Sequence, residues 1–267
     1  MKVLAAAALV AAAAAPAAAE PLWEAGLGAT ALRLPHYRGA AESSTWLLPL
    51  PWFVYRGERL RADRDGARAL LFDTGRAEFD LGFAAGTPTR SDDDRARRGM
   101  DDLEPTVEVG PRLRLALAEG RGWKTELRLP VRAVIGVDRS PSLLGWTAAP
   151  SLALDGEHAG WGWGLQAGPI WGDRRLHRHY YEVRADEAAP GRPAYAAAGG
   201  YAGWQATAAL SRRAGAWWLA GFVRADSVSG AAFADSPLVR RTNNVGAGIA
   251  LVRVFARSER EAAADSR

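Results

Sequence analysis

Four histidines, His36, His158, His177 and His179, are the side chains of this 267-residue chain best suited to proton transfer or metal binding. His177 and His179 stand two residues apart in a segment rich in charge and tyrosine. That spacing supplies two ligands and fixes no third, so solvated loop histidines are the expectation and no metal is implied. Asp92-Asp93-Asp94 offers oxygen ligands for a hard cation but lacks the spaced ligands and closing glutamate of a calcium loop. It reads as a solvated acidic run, whose one conceivable ion chemistry is divalent bridging to lipopolysaccharide. A lipid hydrolase would need an activated serine beside a histidine. Ser227, Ser229 and Ser236 lie close together in sequence, with His177 and His179 in another segment, and nothing marks any of them as activated. Gly162, Gly164 and Gly168 alternate along a strand, and no helix follows them to form a phosphate site. With no cysteine, thiolate metal sites, iron–sulfur clusters and cysteine nucleophiles are excluded. The 34 Lys+Arg against 30 Asp+Glu are interleaved rather than clustered, which gives no nucleic-acid footprint. Neither catalytic residues nor a cofactor is expected.

The elements that would carry these residues are strands. From Glu104 to Trp171 apolar and polar residues alternate with period two, the strand period and not the helical 3.6. Val107 to Leu117, Trp123 to Ile135, Trp146 to Leu154 and Trp161 to Trp171 each keep one face of Leu, Val, Ala and Trp and one of Glu, Arg, Lys, Gln and Gly. Further strands are expected at 23–33, 46–55, 58–62, 67–72, 76–86, 201–212, 217–226 and 243–255, about twelve in all. Pro49 and Pro51 should bulge or distort the second of these.

Alternation alone fits a secreted sandwich as well as a membrane barrel. Met1-Lys2, the apolar run Val3 to Ala19 and the small residues Ala17-Ala18-Ala19 have the layout of a cleaved signal peptide rather than a membrane anchor. The predicted connections after the fifth strand then alternate between long (87–103, 172–196, 227–242) and short (119–121, 156–160, 213–215), with 138–144 of medium length. A meander with its long loops at one end gives that pattern, as outer-membrane barrels do. The expected fold is an all-β closed antiparallel transmembrane barrel over residues 20–255, with outer loops, short periplasmic turns and a disordered charged tail at 256–267.

In hydrocarbon every backbone N–H and C=O needs an internal partner, so strands cross only as a closed sheet. The Leu/Val/Trp face then meets lipid, and Trp123, Trp146, Trp161, Trp163, Trp171, Trp204 and Trp217 belong to the interfacial girdles. Glu78, Asp80, Glu108, Arg112, Arg114, Lys124, Glu126, Arg128 and Arg132 should meet in the lumen, as structural packing or as the lining of a narrow pore. Tyr180, Tyr181 and Tyr195, in the longest loop, read either as a docking surface or lumen-capping loop, or as girdle and rim packing.

Several stretches resemble the MipA/OmpV family of outer-membrane proteins (MltA-interacting protein). They are Gly26-Leu27-Gly28-Ala29, Leu34-Pro35-His36-Tyr37-Arg38-Gly39, Leu48-Pro49-Leu50-Pro51 with Tyr55-Arg56-Gly57, Arg98-Gly99-Met100-Asp101-Asp102 and Thr106-Val107-Glu108-Val109-Gly110. Tyr181, then Gly191-Arg192-Pro193-Ala194-Tyr195, and Asp235-Ser236-Pro237-Leu238-Val239 follow in order. The resemblance implies a barrel without catalytic residues. It also implies a scaffold linked to murein synthesis and hydrolysis, with a lytic transglycosylase and a penicillin-binding protein as partners. A terminal aromatic read by the barrel-assembly machinery is expected too. Phe255 fits that position, but twelve residues, 256–267, follow it.

Overall fold

The computed structural model describes residues 21–57, 60–63, 66–138 and 140–262. The expected signal peptide lies outside them. The strands are β1 (Trp23–Pro35), β2 (Ser43–Arg56), β3 (Leu60–Asp63), β4 (Gly66–Asp73), β5 (Ala77–Gly86), β6 (Thr106–Gly120) and β7 (Trp123–Gly136). They continue with β8 (Ser142–Ala148), β9 (Ser151–His158), β10 (Trp161–Gly172), β11 (Gly200–Ala214), β12 (Trp217–Ser227) and β13 (Asn243–Arg257). One α-helix, α1 (Arg174–Tyr181), follows β10. β8 and β9 are two halves of one stave, broken at Ala149-Pro150, and both pair with β7 on one side and β10 on the other. β10 pairs with β11 and β13 returns to β1, so the twelve staves close into an antiparallel ring.

Closure sets the phase of every side chain. Across β1, Gly26, Gly28 and Thr30 stand opposite Trp52, Leu50 and Leu48 of β2 and opposite Val254, Val252 and Ala250 of β13, and all of these point inward. Leu27, Leu47, Phe53, Ile249 and Leu251 point out and are exposed, as lipid-facing residues must be. Trp123, Trp161 and Trp217 stand just after the short turns, while Trp146, Trp171 and Trp204 stand near the opposite ends of their strands; all six are exposed. Trp163 is half-buried. The ten residue steps from Trp161 to Trp171, at ~3.3 Å each and a tilt of ~40°, separate the two belts by about 25 Å, the height of an outer-membrane apolar band.

Two expectations are corrected. β2 is not bulged at its prolines, since its pairing with β1 runs from Trp23↔Tyr55 to Pro35↔Ser43 without a shift. The reason lies in which edge the prolines occupy: the Arg56 N–H donates to Leu22 O on the β1 side, so by alternation the N–H positions of residues 49 and 51 face the other edge. The end of the chain is ordered further than its composition suggested. β13 runs to Arg257, Leu22 N–H donates to Arg260 O, and Glu261 bridges Pro21, because the first strand offers a free backbone partner there. Residues 263–267 lie outside the description.

Candidate functional site

The inward positions of β5, β6, β7, β9 and β10 alternate onto one another and gather the charges. Asp80, fully buried, accepts from Arg112 Nε at 3.1 Å to each carboxylate oxygen, and Arg114 Nε lies 3.4 Å from it. Arg114 also faces Glu78 at 3.7 Å. One step around the wall, Glu126 accepts from Lys124 Nζ at 2.6 Å and from Arg128 Nε at 3.0 Å. Arg128 reaches on to Asp155 and Gln166. Arg132 pairs with Glu108 at 3.4 Å nearer the outer end. All nine charges named from the sequence therefore project from the inward face. In a low-dielectric interior such charges persist only when paired and hydrogen-bonded.

The same alternation held further interior charges that the sequence reading passed over. Glu24, only 2% exposed, takes Arg213 at 2.6 and 2.7 Å and Arg56 at 3.6 Å near the periplasmic end. Asp226 takes Arg224 at 2.9 Å, Gln205 at 3.1 Å and Arg38 at 3.4 Å at the outer end. Their even or odd position on a strand was signal enough to find them.

Among the described residues, the inward side chains of β2, β12 and β13 between these clusters are largely apolar. Inward from β2 come Trp46, Leu48, Leu50, Trp52 and Val54; from β12, Trp218, Ala220 and Phe222; from β13, Ala250, Val252 and Val254. The rings of Trp52 and Trp218 lie 5.9 Å apart. Phe222 and Leu32 converge over Gly248, where an added Cβ would sit 2.5 and 2.6 Å from them.

Four long connections, 36–42, 87–105, 173–199 and 228–242, fold over the outer mouth into one lid with its own core. Tyr37, Leu103, Tyr181, Val183, Phe233 and Leu238 are buried together there. Polar bonds cross between the loops: Tyr37 OH donates to Leu238 O, Tyr181 OH to Arg38 O, Ser236 Oγ to Tyr181 O, and Arg192 to Ala96 O and Arg98 O. Helix α1 starts at Asp173, whose carboxylate accepts from the Leu176 N–H, and lies against the inner wall. An added Cβ on Gly145 would come within 2.3 Å of Asp173 Oδ1 and 2.5 Å of Leu176 N, and one on Gly172 within 2.4 Å of His177 Nε2.

This packing corrects the view of the loop tyrosines as an exposed docking surface. Tyr181 is 4% exposed, stacked on Phe233 with ring centroids 3.5 Å apart. Tyr180 packs on Val134, Leu144 and Leu176, and burial raises its hydroxyl pKa to about 12. Tyr195 is half-buried beside Ala232 O. Both the docking and the capping sense were open in the sequence, and the loop core needed these rings. The histidines are likewise not free loop residues. His177 is buried, its Nδ1 2.7 Å from Ala198 O, and desolvation lowers its pKa. Burial, helped by Arg97, lowers His179 to about 4. Among the described residues, no group of three or more His, Cys, Asp or Glu is placed to hold a metal.

The expected solvated acidic run is also partly internal. Asp92 and Asp93 are exposed, but Asp94 is fully buried. Its Oδ2 lies 3.0 Å from His36 Nδ1, and His36 Nε2 lies 3.0 Å from Ser44 Oγ. Carboxylate, imidazole and hydroxyl in that order are the triad arrangement of serine hydrolases. No spacing rule reveals it, because Asp94 stands 58 residues from His36. The three residues also tie the β1–β2 loop to the β5–β6 loop. Thr89 Oγ1 donates to His36 O and Arg95 Nε pairs with Glu42 at 2.6 Å beside them. Three neighbouring backbone N–H groups are committed to loop bonds: His36 to Glu42 O, Ala40 to Tyr37 O and Gly39 to Asn244 Oδ1.

A girdled, lipid-faced ring with a lid at one end and short turns at the other is an outer-membrane architecture, and sequence comparison names the lineage. The family "MltA-interacting protein MipA" matches residues 27–255. The chain belongs to this family. Comparison with curated protein sequences finds no match. Similar solved structures include the COG4313 outer membrane channel from Pseudomonas putida F1, at 14% identity and TM-score 0.45, with 91% of this chain and all of that chain covered. The CymD monoaromatic hydrocarbon channel is 10% identical, TM-score 0.37, covering 89% of this chain and 90% of its own. The Salmonella typhi outer membrane phospholipase dimer with bound calcium is 11% identical, TM-score 0.36, covering 89% and 93%. The chain is an outer-membrane β-barrel protein.

Proposed function

We propose that this barrel is a non-enzymatic scaffold of the cell envelope. In this reading it is exported by a cleaved signal peptide, assembled into the outer membrane of a Gram-negative cell, and holds murein hydrolase and synthase enzymes at its periplasmic face. The observation that carries the reading is the interior: ion pairs line the inner wall in two clusters from Glu78 on β5 to Asp155 on β9, and a packed lid covers the outer mouth. A barrel built this way spends its inward charges on rigidity rather than on a water-filled path. The family's description supplies the partner class, an MltA-type murein enzyme. Outward-facing Phe255, 70% exposed near the end of β13, supports recognition by the barrel-assembly machinery. Lipid and lipopolysaccharide contact the outward face and the acidic rim. The test is photo-cross-linking in cells from positions 121 and 157, which flank the short turns. Capture of a murein hydrolase is expected, and its absence, or reproducible single-channel steps in planar bilayers, overturns the scaffold.

Acyl hydrolysis at Ser44 is the competing reading, favoured only by the His36–Asp94–Ser44 geometry. The structural role of the three residues as a loop tie, and the commitment of the adjacent N–H donors, support the non-catalytic one. A fluorophosphonate probe should leave Ser44 unlabelled in the folded protein. Labelling lost in Ser44→Ala and in His36→Ala would instead establish an enzyme.

A further inference from the structure

Among the described residues, β2 has a paired neighbour on one side only for most of its length. It pairs with β1 throughout, but with β3 only at Tyr55↔Ala62 and Arg56↔Arg61. β3 is a four-residue stave that pairs with β4 from Leu60↔Ala69 to Asp63↔Gly66. On the far side, the β4–β5 pairing runs to Arg68↔Gly82, and among the described residues Phe83 to Gly86 of β5 have no further strand partner on that edge. Between Ser43–Val54 and Phe83–Gly86 the described wall has no strand. Its roof is the tie of His36, Ser44, Asp94, Thr89, Arg95 and Glu42.

Three features of β2 suit an opening onto hydrocarbon rather than onto water. Pro49 and Pro51 fall where a backbone N–H would face the gap, so two donors that lipid could not satisfy are missing. Both faces of the strand are apolar, unlike β6 and β7: Leu47, Pro49, Pro51 and Phe53 outward, and Trp46, Leu48, Leu50 and Trp52 inward. Leu47 is 78% exposed on the outside and Leu48 41% exposed on the inside, so accessible apolar surface continues around the edge into the lumen. At ~3.3 Å per residue the inward strip from Trp46 to Val54 is on the order of 26 Å long, more than one leaflet of a ~30 Å hydrocarbon core. Ser43, Ser44 and Thr45 place hydroxyls at its outer end, at the level of lipid headgroups.

We propose that this break is a lateral portal, and that one alkyl chain of a bilayer lipid enters it and lies along the inward face of β2. Apolar surface inside a barrel is stabilised by removal from water, and a chain from the surrounding leaflet is the occupant in continuous contact with the opening. The proposal is independent of the scaffold reading, which concerns the periplasmic face.

The full mature chain, refolded in phosphatidylcholine vesicles without other amphiphile, tests it. A photoreactive benzoylphenylalanine is placed at position 48 (inward, on the strip), at 47 (outward) or at 166 (inward, among the charges). Lipid adducts at 47 and 48 and none at 166 are expected. Leu50→Arg should lower the adduct at 48 by about tenfold, the factor given by ~1.4 kcal/mol, and leave that at 47 unchanged. The adduct at 47 and heat-modifiable gel mobility report insertion for every variant. No adduct at 48 with a normal adduct at 47 overturns the portal, and equal adducts at 48 and 166 overturn the separate apolar path.

Discussion

The barrel has two unlike halves. Across β5, β6, β7 and β9 the wall is paired in continuous ladders and its inner face carries a lattice of Arg, Lys, Asp and Glu, joined from β10 by Gln166. Around β1, β2, β12 and β13 the middle of the inner face is Trp, Leu, Phe, Val, Ala and Gly, with Glu24 at one end and the Arg224–Asp226 pair at the other, and along most of the far edge of β2 the described residues show no paired strand. The two halves solve the interior problem by different physics. Buried charges need near-complete partnering, which the long β5–β6 and β6–β7 ladders supply by fixing which side chains stand opposite each other. An apolar inner face puts no such demand on its side chains, and on the unpaired edge of β2 Pro49 and Pro51 remove two of the backbone donors that hydrocarbon could not satisfy.

The contrast breaks most easily on its charged side. Asp80→Ala leaves Arg112 and Arg114 facing each other without their shared carboxylate and should cost about 3–5 kcal/mol, read from urea unfolding in lipid vesicles. Next, Leu127→Arg puts a cation on the lipid face and should cost ~2–4 kcal/mol near the midplane, read as slowed insertion. Arg128→Leu keeps the phase and should still insert. However, it strips Glu126 and Asp155 of a partner, so its folded barrel should unfold at lower urea; unchanged stability would mean the lattice is dispensable.

The lid responds to acid rather than to sequence phase. His179 stays neutral in the folded lid down to about 4, whereas a released histidine takes a proton near 6.5. Stability is therefore fully present above 6.5, falls as the pH drops from 6.5 to about 4, and changes no further below that, by up to about 3 kcal/mol. Limited proteolysis of the 173–199 connection should accelerate across that window, and His179→Phe should flatten the response. The smallest effect belongs to the apolar half. Leu48→Ala removes a side chain already 41% exposed and should change stability by less than ~1 kcal/mol; a core-like loss there would mean that the inner strip is closed and packed.

Which features were legible follows from how far apart their partners are. Arg112 and Arg128 were readable as inward because strand phase is a property of neighbours two residues apart. Pro49 and Pro51 misled, because a proline looks like a defect until the strand's open edge is known. Tyr180 and Tyr181 were ambiguous because a loop aromatic is exposed or buried according to what the other loops bring to it. Asp94, in an acidic run, gave no sign of being buried, since its partner His36 lies in a different loop.

By itself the sequence determined the strand periods, the alternation of two unlike faces and the alternation of long and short connections, because each follows from local pattern and chain length. Only the tertiary structure decided the rest. It closed twelve staves into a ring, merged four loops into one lid and joined Ser44, His36 and Asp94. Among the described residues it also left β2 without a paired neighbour along most of one edge. Each of these depends on segments distant in sequence arriving at the same place, and no local pattern encodes such a meeting.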